Sequence, residues 1–274
     1  MGDDVYSLLL CPVCGGTLLR QSGTLRCAQG HSFDLAKEGY VNLLSGKGGS
    51  QHGDNTMMIK ARRRFLDAGH YSPLAKVYAE ALRAHLKEGA YQIDVGCGEG
   101  YYTAYAHAVT KEKQGKTIAF DVSKDAVRLA AKRNAADLLF VGSAYRVPLA
   151  DGCAEGISLL FSPFCREEIL RLLGKDGLLF MAYPTERHLY GLKAAIYDTP
   201  YLNEPTDAAI KGFRLLDKQD VNYDLTLHEK EDIEALFAMT PYYYKTGKEG
   251  HARLASLTVL KTEVAFRLAV YQKE

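Results

Sequence analysis

Cys11, Cys14, Cys27 and His31 follow one another as C-x2-C-x12-C-x3-H. That spacing lets two ligand pairs, each on its own tight turn, converge tetrahedrally on one zinc ion that keeps the thiolates deprotonated. Pro12 with Gly15 and Gly16 supplies the first knuckle and Gly30 the second. Four ligands leave no open coordination position, so the expected zinc is structural. A second set is Asp94-Val95-Gly96-Cys97-Gly98-Glu99-Gly100, three glycines in a turn between an apolar run and a helix-forming one. Glycine takes φ > 0 without strain and leaves no Cβ between main chain and ligand. The free N–H groups of the helix behind such a turn point at whatever lies over it. Asp121 closes the next apolar run, where a carboxylate at a strand end can accept both hydroxyls of a ribose. Glycines alone would serve any strand-to-helix corner; the second acid favours a nucleoside. The longer dinucleotide fingerprint fails, because Tyr101 stands where its last glycine belongs.

These groups need a frame, and the pattern predicts an α/β one. Expected strands at 91–95, 117–121, 138–141, 156–161 and 177–182 alternate with expected helices at 101–109, 124–134, 166–173 and 187–197, the order of a parallel, doubly wound Rossmann-like sheet. Two further strands, 213–227 and 258–271, flank a helix at 230–239 and suit a late antiparallel pair. Before the sheet, 17–19 and 24–26 read as two strands of a ribbon, and 33–44 has no clean period. The polar, glycine-rich stretch that follows is the best candidate boundary. The expected organisation is a zinc ribbon over 1–44, a flexible linker over 45–56 and the α/β domain over 57–274. Asn55 or Thr56 caps a helix carrying Lys60 and Arg62 to Arg64, a cluster that is either a solvated face or a contact for RNA phosphates. Ser72 and Pro73 open the next helix.

With 274 residues, 47% hydrophobic and 24% charged, the chain can build one good-sized α/β domain and a small appendage. Its formal net charge of +1 means that a nucleic acid would be held by a local patch. No apolar run spans a bilayer and the first residues do not read as a secretory signal, so the expected location is cytoplasmic with no membrane partner. Six cysteines, three of them before residue 30, fit a reduced compartment with one metal site better than a disulfide framework.

The glycine motif resembles the first motif of class I S-adenosylmethionine-dependent methyltransferases. The chain as a whole is similar to the bacterial 23S ribosomal RNA guanine-N1 methyltransferases. That resemblance is carried by the zinc-ligand spacing, by Phe33-Asp34-x-Ala36-Lys37-Glu38-Gly39-Tyr40-Val41-Asn42-Leu43-Leu44, by Ala61-Arg62-Arg63-x-Phe65-Leu66-Asp67-Ala68-Gly69-His70-Tyr71, by Asp94 to Thr103, by Arg187-His188-Leu189 and by Met239-Thr240-Pro241. It implies a zinc ribbon that helps grip an rRNA hairpin, a Rossmann-like domain that binds S-adenosylmethionine, and a homodimer whose subunits share the RNA cleft. It places cofactor contacts at Tyr71, Gly98, Glu99 and His188, beside Asp94, Gly96, Gly100 and Asp121. The strand end at 161–165 matches loosely, with Pro163 its anchor.

Methyl transfer from a sulfonium is an in-line displacement, so the protein mainly positions donor and acceptor and excludes water. Guanine N1 must also lose its proton, to a base in reach or with help from a donor at O6. Ser162, Tyr183 and Arg187, with Glu186 and Asp151, are expected near the carboxyl edge of the sheet; the general base is not legible. Tyr40, Tyr71, Phe164 or Tyr183 could stack on an extruded base. Two alternatives stand beside this reading: a methyltransferase acting on a small molecule or protein, and a non-catalytic zinc-ribbon RNA-binding protein, which titration with S-adenosylmethionine would separate.

Overall fold

The computed structural model describes residues 5–44, 55–206 and 209–274; all but the last two residues of the expected linker lie outside them. After a 3-10 turn, β1 (Leu19–Gln21), β2 (Thr24–Arg26) and β3 (Ser32–Asp34) make an antiparallel ribbon of three strands where two were expected. Then come β4 (Tyr40–Asn42), α1 (Thr56–Asp67), α2 (Ser72–His85), β5 (Tyr91–Val95), α3 (Tyr101–Glu112), β6 (Lys116–Asp121), α4 (Lys124–Lys132) and β7 (Leu138–Val141). The rest is β8 (Ala154–Leu160), α5 (Arg166–Leu172), β9 (Leu173–Pro184), α6 (Tyr190–Ile196), β10 (Phe213–Leu227), α7 (Lys230–Ala238), α8 (Tyr242–Lys245), α9 (Lys248–Ala255) and β11 (Leu260–Lys273). Asn55 caps α1 by accepting from Met58 N at 2.9 Å. Ser72 is the first residue of its helix, and Tyr71 occupies the cap position without a side-chain bond.

Eight strands form one sheet in the order β10-β11-β9-β8-β5-β6-β7-β4. The strands from β4 to β9 run parallel, and β11 runs antiparallel to both β9 and β10. The chain leaves β5 toward β6 and β7, then returns to its other side as β8. That reversal opens a crevice at the carboxyl ends of β5 and β8, the place where open α/β sheets bind ligands. Buried on both faces, β5 holds two internal polar side chains, Gln92 and Asp94; Gln92 and the Tyr78 hydroxyl each meet Ser158 Oγ at 2.6 Å, so burying Gln92 costs little.

Two features depart from local expectation. The stretch without a period contains β4, which pairs with β7 and becomes the edge of the large sheet although it lies before residue 45. Its three residues bridge locally only to Leu35 and Ala36 and find their strand partner in β7, too short a run for local alternation to mark them. The ribbon also shares a core with the sheet: Leu9, Leu18, Leu25 and Val41 pack in one buried cluster with Ile93, Ile157 and Leu179. The ribbon and α5 thus cover one face, while α2, α3, α6 and α7 cover the other. The helix expected from 187 begins only at Tyr190. Its start is delayed because Thr185 N donates to Ala265 O (2.9 Å) and Leu189 N to Glu263 O (2.7 Å), fastening a tight turn onto β11.

Candidate active site

The four zinc-ligand atoms of Cys11, Cys14, Cys27 and His31 all lie within 4.8 Å of one another. Cys14 Sγ is 3.7 Å from Cys27 Sγ, and Cys27 Sγ is 3.3 Å from His31 Nδ1. Tetrahedral zinc with Zn–S bonds of about 2.3 Å puts two sulfurs about 3.8 Å apart, so the cluster fits the ion. Gly15 and Gly30 close the knuckles at φ 75° and 85°, with open space where a Cβ would stand. Their requirement is for backbone angle, not for room.

The glycine turn at the end of β5 is held over β6. Gly96 N and Cys97 N both donate to Phe120 O at 2.9 Å. Gly98 N donates to one oxygen of Asp121 (3.0 Å) and Ser123 N to the other (2.8 Å), which fixes the carboxylate plane. The three glycines serve different ends. A Cβ on Gly96 would stand 2.5 Å from Ser162 Cβ, and one on Gly100 would meet Ala135 and Ala130 Cβ at 2.8 and 2.9 Å, so these positions permit close packing. A Cβ on Gly98 would meet only Arg62 Nη1 at 3.9 Å; that position opens on a cavity. Asp94, 3% exposed, accepts from Thr103 Oγ1 at 2.6 Å. Burial pushes its carboxyl up to about 6, against the Thr103 bond and with help from the Asp121 charge.

Two cavities meet at this turn. The first, of about 400 Å³, is walled by Tyr71, Asp94, Glu99, Tyr102, His188 and Phe266, with α1 and the 239–242 segment above it. The second, of about 570 Å³, is walled by Asp121, Val122, Gly142, Ser143 and Ser162. Arg62, Gly96, Gly98 and Phe161 line both. Four buried polar atoms in these walls, Tyr71 Oη, Tyr102 Oη, Glu99 Oε1 and Ser162 Oγ, have no partner among the described residues. Leaving such atoms unpaired costs about 1–3 kcal/mol each, so the walls are shaped for a ligand with several polar groups. Glu99 is anchored through its other oxygen to Arg133 at 2.6 Å. His188, 8% exposed, accepts from Ala265 N through Nδ1 at 3.2 Å and lies against Phe266 with ring centroids 4.2 Å apart. Burial, helped by the Lys193 charge, lowers its pKa to about 3, so the imidazole is neutral with its proton on Nε2.

Comparison with known proteins agrees with this geometry. Residues 9–47 match the zinc-ribbon family described as RlmA, N-terminal, and residues 93–181 match the family described as Methyltransferase domain. A 23S rRNA (guanine(748)-N1)-methyltransferase of Streptomyces fradiae is 36% identical over 72% of this chain and 70% of its own. A Micromonospora griseorubida protein provisionally named a 23S rRNA (guanine-N1)-methyltransferase is 34% identical over 99% of each chain. The chain belongs to the 23S rRNA (guanine-N1)-methyltransferase family. A Bacillus subtilis protein with the same provisional designation is 31% identical over 89% of each chain. The methyltransferase therefore uses S-adenosylmethionine and one structural zinc, and the two donor sets suit both. Among the described residues, no helix is long and apolar enough to cross a membrane.

The structure gathers Tyr71, Asp94, Gly98, Glu99 and His188 in one cavity and Asp121 and Ser162 in its neighbour; His188 is buried there, not a surface residue. It does not bring the other catalytic candidates to either wall. Arg187 is exposed, ion-paired with Glu263 and laid over the Tyr190 ring, in a separate polar cavity with Glu186. Asp151 pairs with Arg171 at 2.7 Å, and Tyr183 packs into the core shared with the ribbon while Pro184, next to it on β9, lines the cavity. Of the stacking candidates only Tyr71 faces the site: Tyr40 is buried under α4 and Phe164 rests near Phe213. Residue-by-residue reading missed Tyr102, Phe161 and Phe266. Tyr102 directly follows the glycine motif, a visible signal, whereas Phe266 arrives from β11 and has none.

Asp94 gives a testable pH dependence. Its folded pKa is raised, so its stabilising contribution is full below about 4 and is lost as pH rises through about 6. His188 has the opposite sign, losing stability as pH falls from about 6.5 toward 3. Comparing Asp94→Asn with the parent cancels the His188 effect. In thermal unfolding, Asn is expected to stabilise the ligand-free protein by on the order of 2 kcal/mol at pH 8 and by much less at pH 4.5. An equal change at both pH values would mean that Asp94 is not held protonated by burial.

Proposed function

We propose that this enzyme transfers the methyl group of S-adenosylmethionine to N1 of a guanine in a hairpin of 23S ribosomal RNA. The observation that carries the reading is the pair of joined cavities at the β5–β8 switch, with a carboxylate in one and an aromatic wall with unpaired hydroxyls in the other. In this reading Asp121 holds the ribose, and Asp94, Gly96, Gly98 and Gly100 shape the turn under the donor. Tyr71, Glu99 and His188 hold its amino-acid end, and the cavity wall formed by Phe161 and Tyr102 faces the base. Ser162 or Tyr102 offers a hydroxyl near the base edge, able to donate to O6 as charge builds when N1 loses its proton. A neutral His188 suits the site, since an imidazolium would repel the sulfonium. The segment before residue 45 grips the RNA, two subunits share the RNA cleft as a homodimer, and the enzyme works in the cytoplasm.

The test is transfer from labelled S-adenosylmethionine to unmodified 23S rRNA, followed by nucleoside analysis. The expected product is 1-methylguanosine at close to one per RNA. Label on another nucleoside would change the target atom, and cofactor binding without labelled RNA would redirect the search to small-molecule or protein acceptors.

A further inference from the structure

A third cavity, of about 430 Å³, begins at the zinc knuckle with Cys11 and Pro12 and reaches Ser143 and Arg146. It shares Leu44 and Ser143 with the cavity that holds Asp121, so the two cavities adjoin between the knuckle and the proposed methyl-transfer site. The tight turn 143–146 lines both where they meet. Within the turn Tyr145 N donates to Ser143 Oγ and Arg146 N to Ser143 O, both at 3.3 Å. Both flanks are clamped from the ribbon side. Leu43 N donates to Val141 O (2.9 Å) before the turn; after it, Leu10 N donates to Pro148 O (2.9 Å) and Ala150 N to Leu8 O (3.0 Å). Arg171 ties the following carbonyls, those of Val147 and Leu149, at 2.8 Å each.

At the tip of this fixed turn the Tyr145 ring is 75% exposed, more than any other large apolar side chain among the described residues. Exposed Arg146 stands next to it and pairs with no carboxylate among those residues. A rigid aromatic face beside a cation is the arrangement that takes an unstacked base and its phosphate. The reaction supplies such a base, because exposing guanine N1 on the Watson–Crick edge takes the target out of its stack and leaves its neighbour with an uncovered face. We propose that Tyr145 and Arg146 form a stacking platform for an unpaired nucleotide flanking the target guanine, between the zinc ribbon and the methyl-transfer cavity. The platform rests on the RNA reading above. Tyr145 also borders the cavity that holds Asp121, yet at 75% exposure most of the residue is left open to a second partner, and the cofactor titration below tells the two roles apart.

The experiment measures binding of the zinc-loaded full chain to an unmodified 23S rRNA transcript, and of S-adenosylmethionine alone by calorimetry. Tyr145→Ala is expected to raise the RNA dissociation constant on the order of tenfold, and Tyr145→Phe by less than about twofold because the π-face is kept. Arg146→Ala is expected to weaken binding and reduce the salt slope by about one. Affinity for S-adenosylmethionine and the melting temperature stay at the parent values. RNA binding by Tyr145→Ala equal to the parent overturns the platform, and so does a parallel loss of cofactor affinity, which would put the ring over the donor. A parent protein that neither binds nor methylates the transcript removes the RNA reading together with the platform. A parent that methylates it while Tyr145→Ala is unaffected removes the platform alone.

Discussion

Asp121→Ala is expected to raise the dissociation constant for S-adenosylmethionine on the order of a hundredfold, read by calorimetry on the zinc-loaded protein. The carboxylate is oriented before any ligand arrives, one oxygen held by Gly98 N and the other by Ser123 N. In the proposed reading each oxygen accepts one ribose hydroxyl. Charge-assisted hydrogen bonds contribute about 1.5–3 kcal/mol each, and a hundredfold change corresponds to about 2.7 kcal/mol, so losing both contacts comfortably covers the effect. Asp121→Asn keeps one acceptor oxygen and should lose closer to tenfold. The ordering parent, Asn, Ala is therefore the diagnostic result. An alanine variant that binds within about threefold of the parent would remove Asp121 from the cofactor site.

Removing zinc is expected to have the larger structural effect. Cys27→Ser, or prolonged chelation, should abolish rRNA methylation to below about one hundredth and lower the melting temperature in one cooperative transition. Zinc in small ribbons contributes about 10–16 kcal/mol to folding, more than three short strands can replace. The loss does not stop at the ribbon, because Leu9, Leu18, Leu25 and Val41 belong to the same buried cluster as the sheet residues Ile93 and Ile157. Exposing even two or three such side chains costs about 1.5–3 kcal/mol each, and at about 2–4 °C per kcal/mol the transition should fall by roughly 10 °C or more. The rim of the cavity that holds Asp121 should loosen with it, since Leu8 and Leu10 at the base of the ribbon hold the segment that follows the 143–146 turn. Calorimetry resolving two transitions, the upper one unmoved, would instead show a ribbon energetically independent of the sheet.

Much of this was legible in residue order. The zinc site rests on four residues whose spacing is local, and a chelate depends on little beyond two tight turns. The parallel sheet was legible because its strands are short apolar runs separated by helices, a period written along the chain. Asp94, the glycine turn and Asp121 were legible because strand ends and the turn after them are sequence-adjacent, and only the β5–β6 pairing was needed to join them.

What the sequence could not assign was decided by contacts between distant segments. Arg187 and His188 are neighbours in the chain, yet the turn fastened to β11 sends the imidazole into the cavity and leaves the guanidinium on the surface with Glu263. Tyr183 and Pro184 likewise take opposite sides of β9, a choice set by the register of β9 against β11 and not by residue type. Phe266 and the 239–242 segment reach the site only because the late antiparallel strands fold back over its edge. The strand at Tyr40–Asn42 bonds locally only to the turn before it, at Ala36 and Leu35, so its place beside β7 at the sheet edge was invisible locally. By itself the sequence determined the metal, the glycine turn and the sheet that carries it, since each depends on spacing within a few residues. Which side chains face the cavities, and how the ribbon is joined to the sheet, followed from register and packing across the whole chain.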